Sequence, residues 1–182
     1  SAACSPGAEA VAMDPTENND ILVGTSCNDV IDGLGGDDEI RGREGKDTLL
    51  GGEGNDLIFG DAGDDVLSGG PSGDDQIFGG SGNDELYGFE GANILDGGPG
   101  DDWLYDTFQP TQMFGGSGND MLSLSSGGGL LDGGDGFDRA MFDHYHRNSG
   151  VRIDLSFASP QDIGGGEIVT FVSIESVWGT DL

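Results

Sequence analysis

Eleven aspartates fall in one register through most of this sequence: Asp20, Asp29, Asp38, Asp47, Asp56, Asp65, Asp75, Asp84, Asp102, Asp120 and Asp138, with Asn93 in the same register. The step is nine residues or its double, broken once by ten between Asp65 and Asp75. Most of these carboxylates follow a glycine-rich run. That combination suits a hard cation: Ca²⁺ takes roughly six to eight oxygens at about 2.3–2.6 Å, from carboxylates and backbone carbonyls. A glycine-rich turn exposes carbonyls, and its aspartate adds a carboxylate. One turn offers too few oxygens, so two stacked turns must share an ion. The competing reading, an acidic solvated linker, gives no reason for a nine-residue register.

The elements that must position these carboxylates follow from the same period. From Pro15 to Met141 the chain divides into fourteen units, thirteen of nine residues and one of ten, Gly69–Phe78, where Pro71-Ser72 carries the extra residue. Clear copies read GGEGNDLIF (51–59), GGSGNDELY (79–87), GGPGDDWLY (97–105) and GGSGNDMLS (115–123). Positions one to six hold glycine, Asn and Asp, the residues of tight turns. Positions seven to nine form a short strand. Its middle residue is Leu22, Ile31, Ile40, Leu49, Ile58, Leu67, Ile77, Leu86, Leu95, Leu104, Met113, Leu122 or Leu131, with Ala140 the exception. One unit cannot bury a single apolar side chain. Stacked units can, because each strand pairs with its neighbour and the position-eight residues form a continuous ladder.

The nonapeptide GGxGxDxUx resembles that of the RTX (repeats-in-toxin) family, over residues 15–141. The resemblance implies an all-β fold, a right-handed parallel β-roll (β-solenoid) with two units per coil. Seven coils at the spacing of paired strands would be about 34 Å long. It also implies backbone ligands: the lower turn of each pair gives the carbonyls of positions two and four, the upper turn those of one and three. Carried onto this sequence, these are Gly33, Gly35 and Gly36; Gly42, Glu44 and Gly45; Gly51, Gly52, Glu53 and Gly54; Gly60, Asp61, Ala62 and Gly63; Gly69; Gly79, Gly80, Ser81 and Gly82; Gly97, Gly98, Pro99 and Gly100; Gly115, Gly116, Ser117 and Gly118; and Gly133 and Asp135. Position three varies freely, as expected where only its carbonyl is used.

Alternate units stack on the same side, so the two edges of the roll are unequal. One carries Asp29, Asp47, Asp65, Asp84, Asp102, Asp120 and Asp138 without a gap, enough for six shared ions. The other carries Asp20, Asp38, Asp56 and Asp75, then Asn93, Thr111 and Gly129, enough for three and a weaker fourth between Asp75 and Asn93. About eight to ten Ca²⁺ ions are expected.

Composition bounds the rest. Acidic residues number 35 against 6 basic, a formal charge of -29. That sign argues against nucleic acid or an anionic membrane surface as partner, and no apolar run is long enough for membrane insertion. HExxH, G-x-S-x-G and P-loop motifs are absent, so the chain is expected to be non-catalytic. Residues 1–14 read as an N-terminal lead, 15–141 as the roll and 142–182 as flanking strands forming a small C-terminal β cap. Within the flank, VRIDLSF (151–157) and EIVTFVSIESVW (167–178) read as extended. The pattern stops at Leu182, where the family usually continues into another turn, so a piece of a longer protein is expected; a natural cap is the alternative. Cys4 and Cys27 can form one disulfide that pins the lead over the first coil, or remain two thiols. His144 and His146 could share a strand face, as metal ligands or as two solvated imidazoles. Phe59, Phe78 and Phe114 face outward on one sheet and Tyr87, Trp103 and Tyr105 on the other, as a protein or glycan surface or as packing under the flanks. The reading as a whole is a Ca²⁺-binding module of an exported protein that folds outside the cell. The alternatives are an adhesive segment of a surface protein, or the tail of a secreted hydrolase or epimerase.

Overall fold

The computed structural model describes residues 15–107, 109–142, 161–164 and 167–179. Every regular element among them is a strand: β1 (Ile21–Val23), β2 (Val30–Asp32), β3 (Glu39–Glu44), β4 (Thr48–Leu50), β5 (Leu57–Ala62), β6 (Val66–Gly70), β7 (Gln76–Ser81), β8 (Glu85–Phe89), β9 (Ile94–Pro99), β10 (Trp103–Asp106), β11 (Thr111–Ser117), β12 (Met121–Leu124), β13 (Gly129–Asp135), β14 (Arg139–Phe142), β15 (Gln161–Gly164), β16 (Glu167–Val172) and β17 (Ser176–Gly179). Successive strands alternate between two sheets. One runs β1-β3-β5-β7-β9-β11-β13-β16-β15 and the other β17-β14-β12-β10-β8-β6-β4-β2. All pairs are parallel except β15 with β16. The register is one coil: Leu22 faces Ile40, and Leu49 faces Leu67. The chain is thus a parallel β-solenoid of seven repeat coils.

The position-eight ladder is the core. Its members from Ile40 to Ala140 are fully buried and Leu22 nearly so. Ile31, on the edge strand β2, is the one member only partly buried. Burying one Leu or Ile per unit contributes about 1.5–3 kcal/mol each before chain entropy is charged. A row of single residues is a thin core, so the turns must add stability of their own.

β16 and β17 continue both sheets past the last repeat. Val169, Thr170, Phe171 and Val172 pair with Gly129 to Asp132, and Ser176 to Gly179 pair with Arg139 to Phe142. EIVTFVSIESVW is therefore two strands joined by Ser173, Ile174 and Glu175, stacked as a further rung. VRIDLSF, His144, His146 and Cys4 lie outside the described residues. Of the outward aromatics, Phe59 and Phe78 stack with centroids 5.2 Å apart, with Arg41 over Phe59. Tyr87 contacts Phe89, Trp103 and Tyr105 on the opposite sheet.

Candidate metal sites between the turns

The turns stack as tightly as the strands. In each unit of Gly-rich sequence, residues at positions two and four have positive φ, as at Gly116 and Gly118. Leu34, Arg43, Asp61 and Phe89 hold the same left-handed backbone at position two without being glycine. This alternation turns successive carbonyls in opposite directions along the roll. A Cβ on Gly118 would strike the carbonyl oxygen of Gly100, position four one coil below, and one on Gly116 would strike that of Gly98 at position two. Carbonyls at two and four therefore face the next coil. Position-three carbonyls face back: Glu53, Ala62, Ser81, Pro99, Ser117 and Asp135 accept the position-four N–H of the coil before. Position-one carbonyls face back as well. A Cβ on Gly79 would lie 2.7 Å from the carbonyl oxygen of Gly97 and 2.5 Å from Asp84 Oδ2. Two oxygens therefore converge beside the Gly79 Cα, and the glycine is required there by their approach. Gly33 departs in one respect: its carbonyl accepts the N–H of Gly35.

The aspartates bridge levels. Oδ1 of each accepts the N–H of the position-six residue one coil below, at 2.7–2.9 Å: Asp20 to Asp38, Asp38 to Asp56 and Asp56 to Asp75 on one edge, and Asp29 to Asp47 through to Asp120 to Asp138 on the other. Asn93 keeps this role, accepting the Asp75 N–H at 2.8 Å. The second oxygen, Oδ2, turns to the gap above. In Asp38, Asp47, Asp56, Asp65, Asp75, Asp84, Asp102, Asp120 and Asp138 it is buried without a hydrogen-bond partner among the described residues. Each of these residues is at most 2% exposed. A buried carboxylate oxygen with no partner costs several kcal/mol unless a cation or proton meets it. Burial first, then the neighbouring aspartates, holds the carboxyls above the ordinary range, to about 6 at Asp47, Asp56, Asp84 and Asp120 and about 7 at Asp75 and Asp102.

At the N-terminal end the pattern is closed off. Asp20 Oδ2 accepts the N–H and hydroxyl of Thr16, and Asp29 Oδ2 those of Thr25. Cys27, in the same turn as Thr25, is disulfide-bonded. Among the described residues no three His, Cys, Asp or Glu side chains gather as a metal cluster. Two carboxylates flank each gap between successive aspartates, and Asp75 faces the Asn93 amide instead.

Residues 15–49, 41–71 and 72–104 match the family model of the RTX calcium-binding nonapeptide repeat. Residues 15–104 of this chain belong to the RTX family. RTX repeats bind Ca²⁺, so the chain is a Ca²⁺-binding β-roll module, and the orphaned Oδ2 atoms fit that ion. No curated protein matches the chain significantly.

The RTX roll also contains residues whose roles sequence reasoning missed. On the edge that loses its aspartates, Asp106 stands at position one in place of glycine, fully buried. Its carboxylate accepts the Thr111 hydroxyl at 2.5 Å, the Thr107 N–H at 2.6 Å and an Asn93 amide N–H at 3.1 Å. A Cβ on Gly88, which faces the metal gap elsewhere, would here meet Asn93 Nδ2 at 2.7 Å and Asp106 Oδ2 at 2.8 Å. The gap between Asn93 and Thr111 is thus filled by a side chain. One coil later Leu124 takes position one, buried, followed by Phe142, which packs edge-on against Phe171. Position five carries a second ladder: Asp37 Oδ1 accepts the Asn55 N–H, Asn83 that of Asp101 and Asp101 that of Asn119. The signals were present, as non-glycine residues at position one and Asn or Asp at position five.

Proposed function

We propose that this chain is a non-catalytic module of an exported protein that folds on binding Ca²⁺ outside the cell. The nine buried, unpartnered Oδ2 atoms carry the reading, because with the carboxylates ionised a fold that buries them is complete only when a cation meets each one. The side-chain ligands are the position-six carboxylates of both edges, with Asn93 offering a neutral oxygen. The backbone ligands are the carbonyls of positions two and four below each gap and one and three above. Six gaps from Asp29/Asp47 to Asp120/Asp138, and three or four from Asp20/Asp38 to Asp75/Asn93, give nine or ten sites; the first on each edge, whose lower Oδ2 is already hydrogen-bonded to Thr16 or Thr25, is the weakest of its row, so about eight to ten ions bind. Bound Ca²⁺ supplies about 16–20 positive charges against the formal -29. Arg41 pairs with Asp61 at 2.8 Å, but six basic residues against 35 acidic ones supply little internal counter-charge. Binding energy is then folding energy. Extracellular Ca²⁺ modules work at dissociation constants of about 10⁻⁴–10⁻³ M, which cytosolic Ca²⁺ does not reach. In this reading residues 15–141 are the roll, 142–182 close its C-terminal end, and a Cys4–Cys27 disulfide ties the lead to the first coil.

The test is circular dichroism and small-angle scattering of the full chain in millimolar Ca²⁺ and in excess chelator. The β signal and compact dimensions should be lost in chelator. A chain equally compact and structured without Ca²⁺ would refute the proposal.

A further inference from the structure

The acidic edge does not end at Asp138. The Asp138 N–H donates to Glu175 Oε2 at 2.7 Å, the bond that every earlier aspartate N–H makes to the Oδ1 one coil above. Ser176 pairs with Arg139, so Glu175 stands where position six would stand. Ser173 stands at position one: its carbonyl oxygen faces the Gly133 Cα, in the place that the Gly133 carbonyl takes over Gly115 and the Gly97 carbonyl over Gly79. A Cβ on Gly133 would lie 2.5 Å from Asp138 Oδ2 and also against the Ser173 carbonyl oxygen. Gly134 and Gly136, at positions two and four below, have the positive φ of their counterparts. Asp138 is fully buried, and its Oδ2, aimed into this gap, has no hydrogen-bond partner among the described residues.

We infer that the gap between Asp138 and the Ser173–Glu175 turn is a further Ca²⁺ site, closing the row with a glutamate from outside the repeats. The inference rests on the calcium reading above. The ligands on the page are Asp138 Oδ2, the Ser173 carbonyl and the Glu175 carboxylate, with the carbonyls of Gly134 and Gly136 from below. The upper turn is three residues shorter than a repeat turn, and the extra methylene of glutamate lets its carboxylate reach the Asp138 N–H from there. The shortened turn has no position-three carbonyl, so water completes the shell. Charge explains why the site matters. The row would otherwise leave its last buried carboxylate uncompensated at the end of the roll, where the flanking strands dock.

Anomalous scattering from crystals of the Ca²⁺-loaded full chain tests this directly. A peak between Asp138 and Glu175, in line with those of the lower gaps, is expected. Native mass spectrometry gives a second readout: Glu175→Gln, which keeps an oxygen for the Asp138 N–H, should bind one ion fewer while its β signal persists. Peaks in the lower gaps but none at this one, or an unchanged ion count in Glu175→Gln, overturn the inference and leave the calcium reading standing. A wild-type chain that binds no Ca²⁺ overturns the calcium reading itself.

Discussion

Replacing Asp102 by Asn should change stability in opposite directions with and without Ca²⁺. Asp102 Oδ1 accepts the Asp84 N–H at 2.8 Å, and Oδ2 faces the gap towards Asp120 without a partner. Asn93 shows that an amide fits this position, since its Oδ1 accepts the Asp75 N–H at the same distance. Asp102→Asn therefore preserves the ladder. It puts an N–H₂ where the upper ion needs an oxygen, and leaves the lower ion one neutral ligand in place of a charged one. An ion held at about 100 times its dissociation constant stabilises the fold by roughly 2.7 kcal/mol. Losing one ion and weakening a second costs about 3–5 kcal/mol, a large share of the ~5–15 kcal/mol of a typical domain. Without Ca²⁺ the sign reverses. Burial and the charges of Asp84 and Asp120 raise the Asp102 carboxyl to about 7, so at pH 8 the folded chain carries an ionised group it disfavours, and Asn removes it. The assay is urea unfolding at pH 8 in excess Ca²⁺, paired with folding driven by trimethylamine N-oxide in chelator. The variant should unfold at lower urea in Ca²⁺ and fold at lower osmolyte in chelator. A shift of the same sign in both conditions would refute the reasoning.

Acid should substitute for Ca²⁺. The raised carboxyls, about 6 to about 7 against 3.8 in the unfolded chain, make the metal-free roll bind more protons than the unfolded state, so its stability is present at low pH and lost as pH rises through 6–7. A pH titration in chelator should gain β signal between about pH 7 and 4, and a steady loss on acidification would count against it. Gly118→Ala should cost several kcal/mol, since φ there is +134° and the new Cβ would drive into the Gly100 carbonyl, whereas Ser117→Ala should stay within about 0.5 kcal/mol; thermal melts in Ca²⁺ compare them. Thr111→Ala should leave Ca²⁺ affinity nearly unchanged by calorimetry but lower stability by about 1–3 kcal/mol with Ca²⁺ and without, because the buried Asp106 carboxylate loses a donor.

The fold was legible because a solenoid writes its tertiary structure into a one-dimensional period. Nine-residue spacing, with the two units per coil that the family resemblance implies, places Leu49 on Leu67 and Asp47 under Asp65, with no long-range pairing to guess. The unequal edges were legible for the same reason. What escaped was whatever leaves the period. Glu175 lies past a turn shortened by three residues, so no count of nines from Asp138 reaches it. Only the apolar pair Phe171 and Val177, flanking Ile174-Glu175, hints that strand, turn and strand resume. Asp106 kept its register but changed its chemistry. A sixth-position count records Thr111 as a lost ligand and cannot tell that an aspartate five residues earlier has moved into the vacated gap. The position-five ladder was hidden by redundancy, because Asn and Asp in a turn already have a sufficient explanation in turn propensity.

The position-one column on the weaker edge shows how a roll of this kind can stop depending on metal. It reads Gly33, Gly51, Gly69, Gly88, then Asp106, Leu124 and Phe142. At Gly33 and Gly51 the backbone comes close enough for a carbonyl and a carboxylate oxygen to converge, and in the proposed reading a cation closes the turn. At Asp106 a side chain occupies that spot and brings its own acceptors, satisfied by Thr111, Thr107 and Asn93, so no cation is needed. At Leu124 and Phe142 the spot is apolar, and with Phe171 and Ile174 it joins the core. Each step replaces an ion-linked contact by one that forms in water without a counter-ion. The opposite edge keeps its aspartates through the same coils, so the C-terminal coils combine one edge of buried carboxylates with one ordinary hydrophobic edge. Their apolar contacts are denser than the single-file ladder of the earlier coils, which makes them the part of the roll whose packing owes least to Ca²⁺.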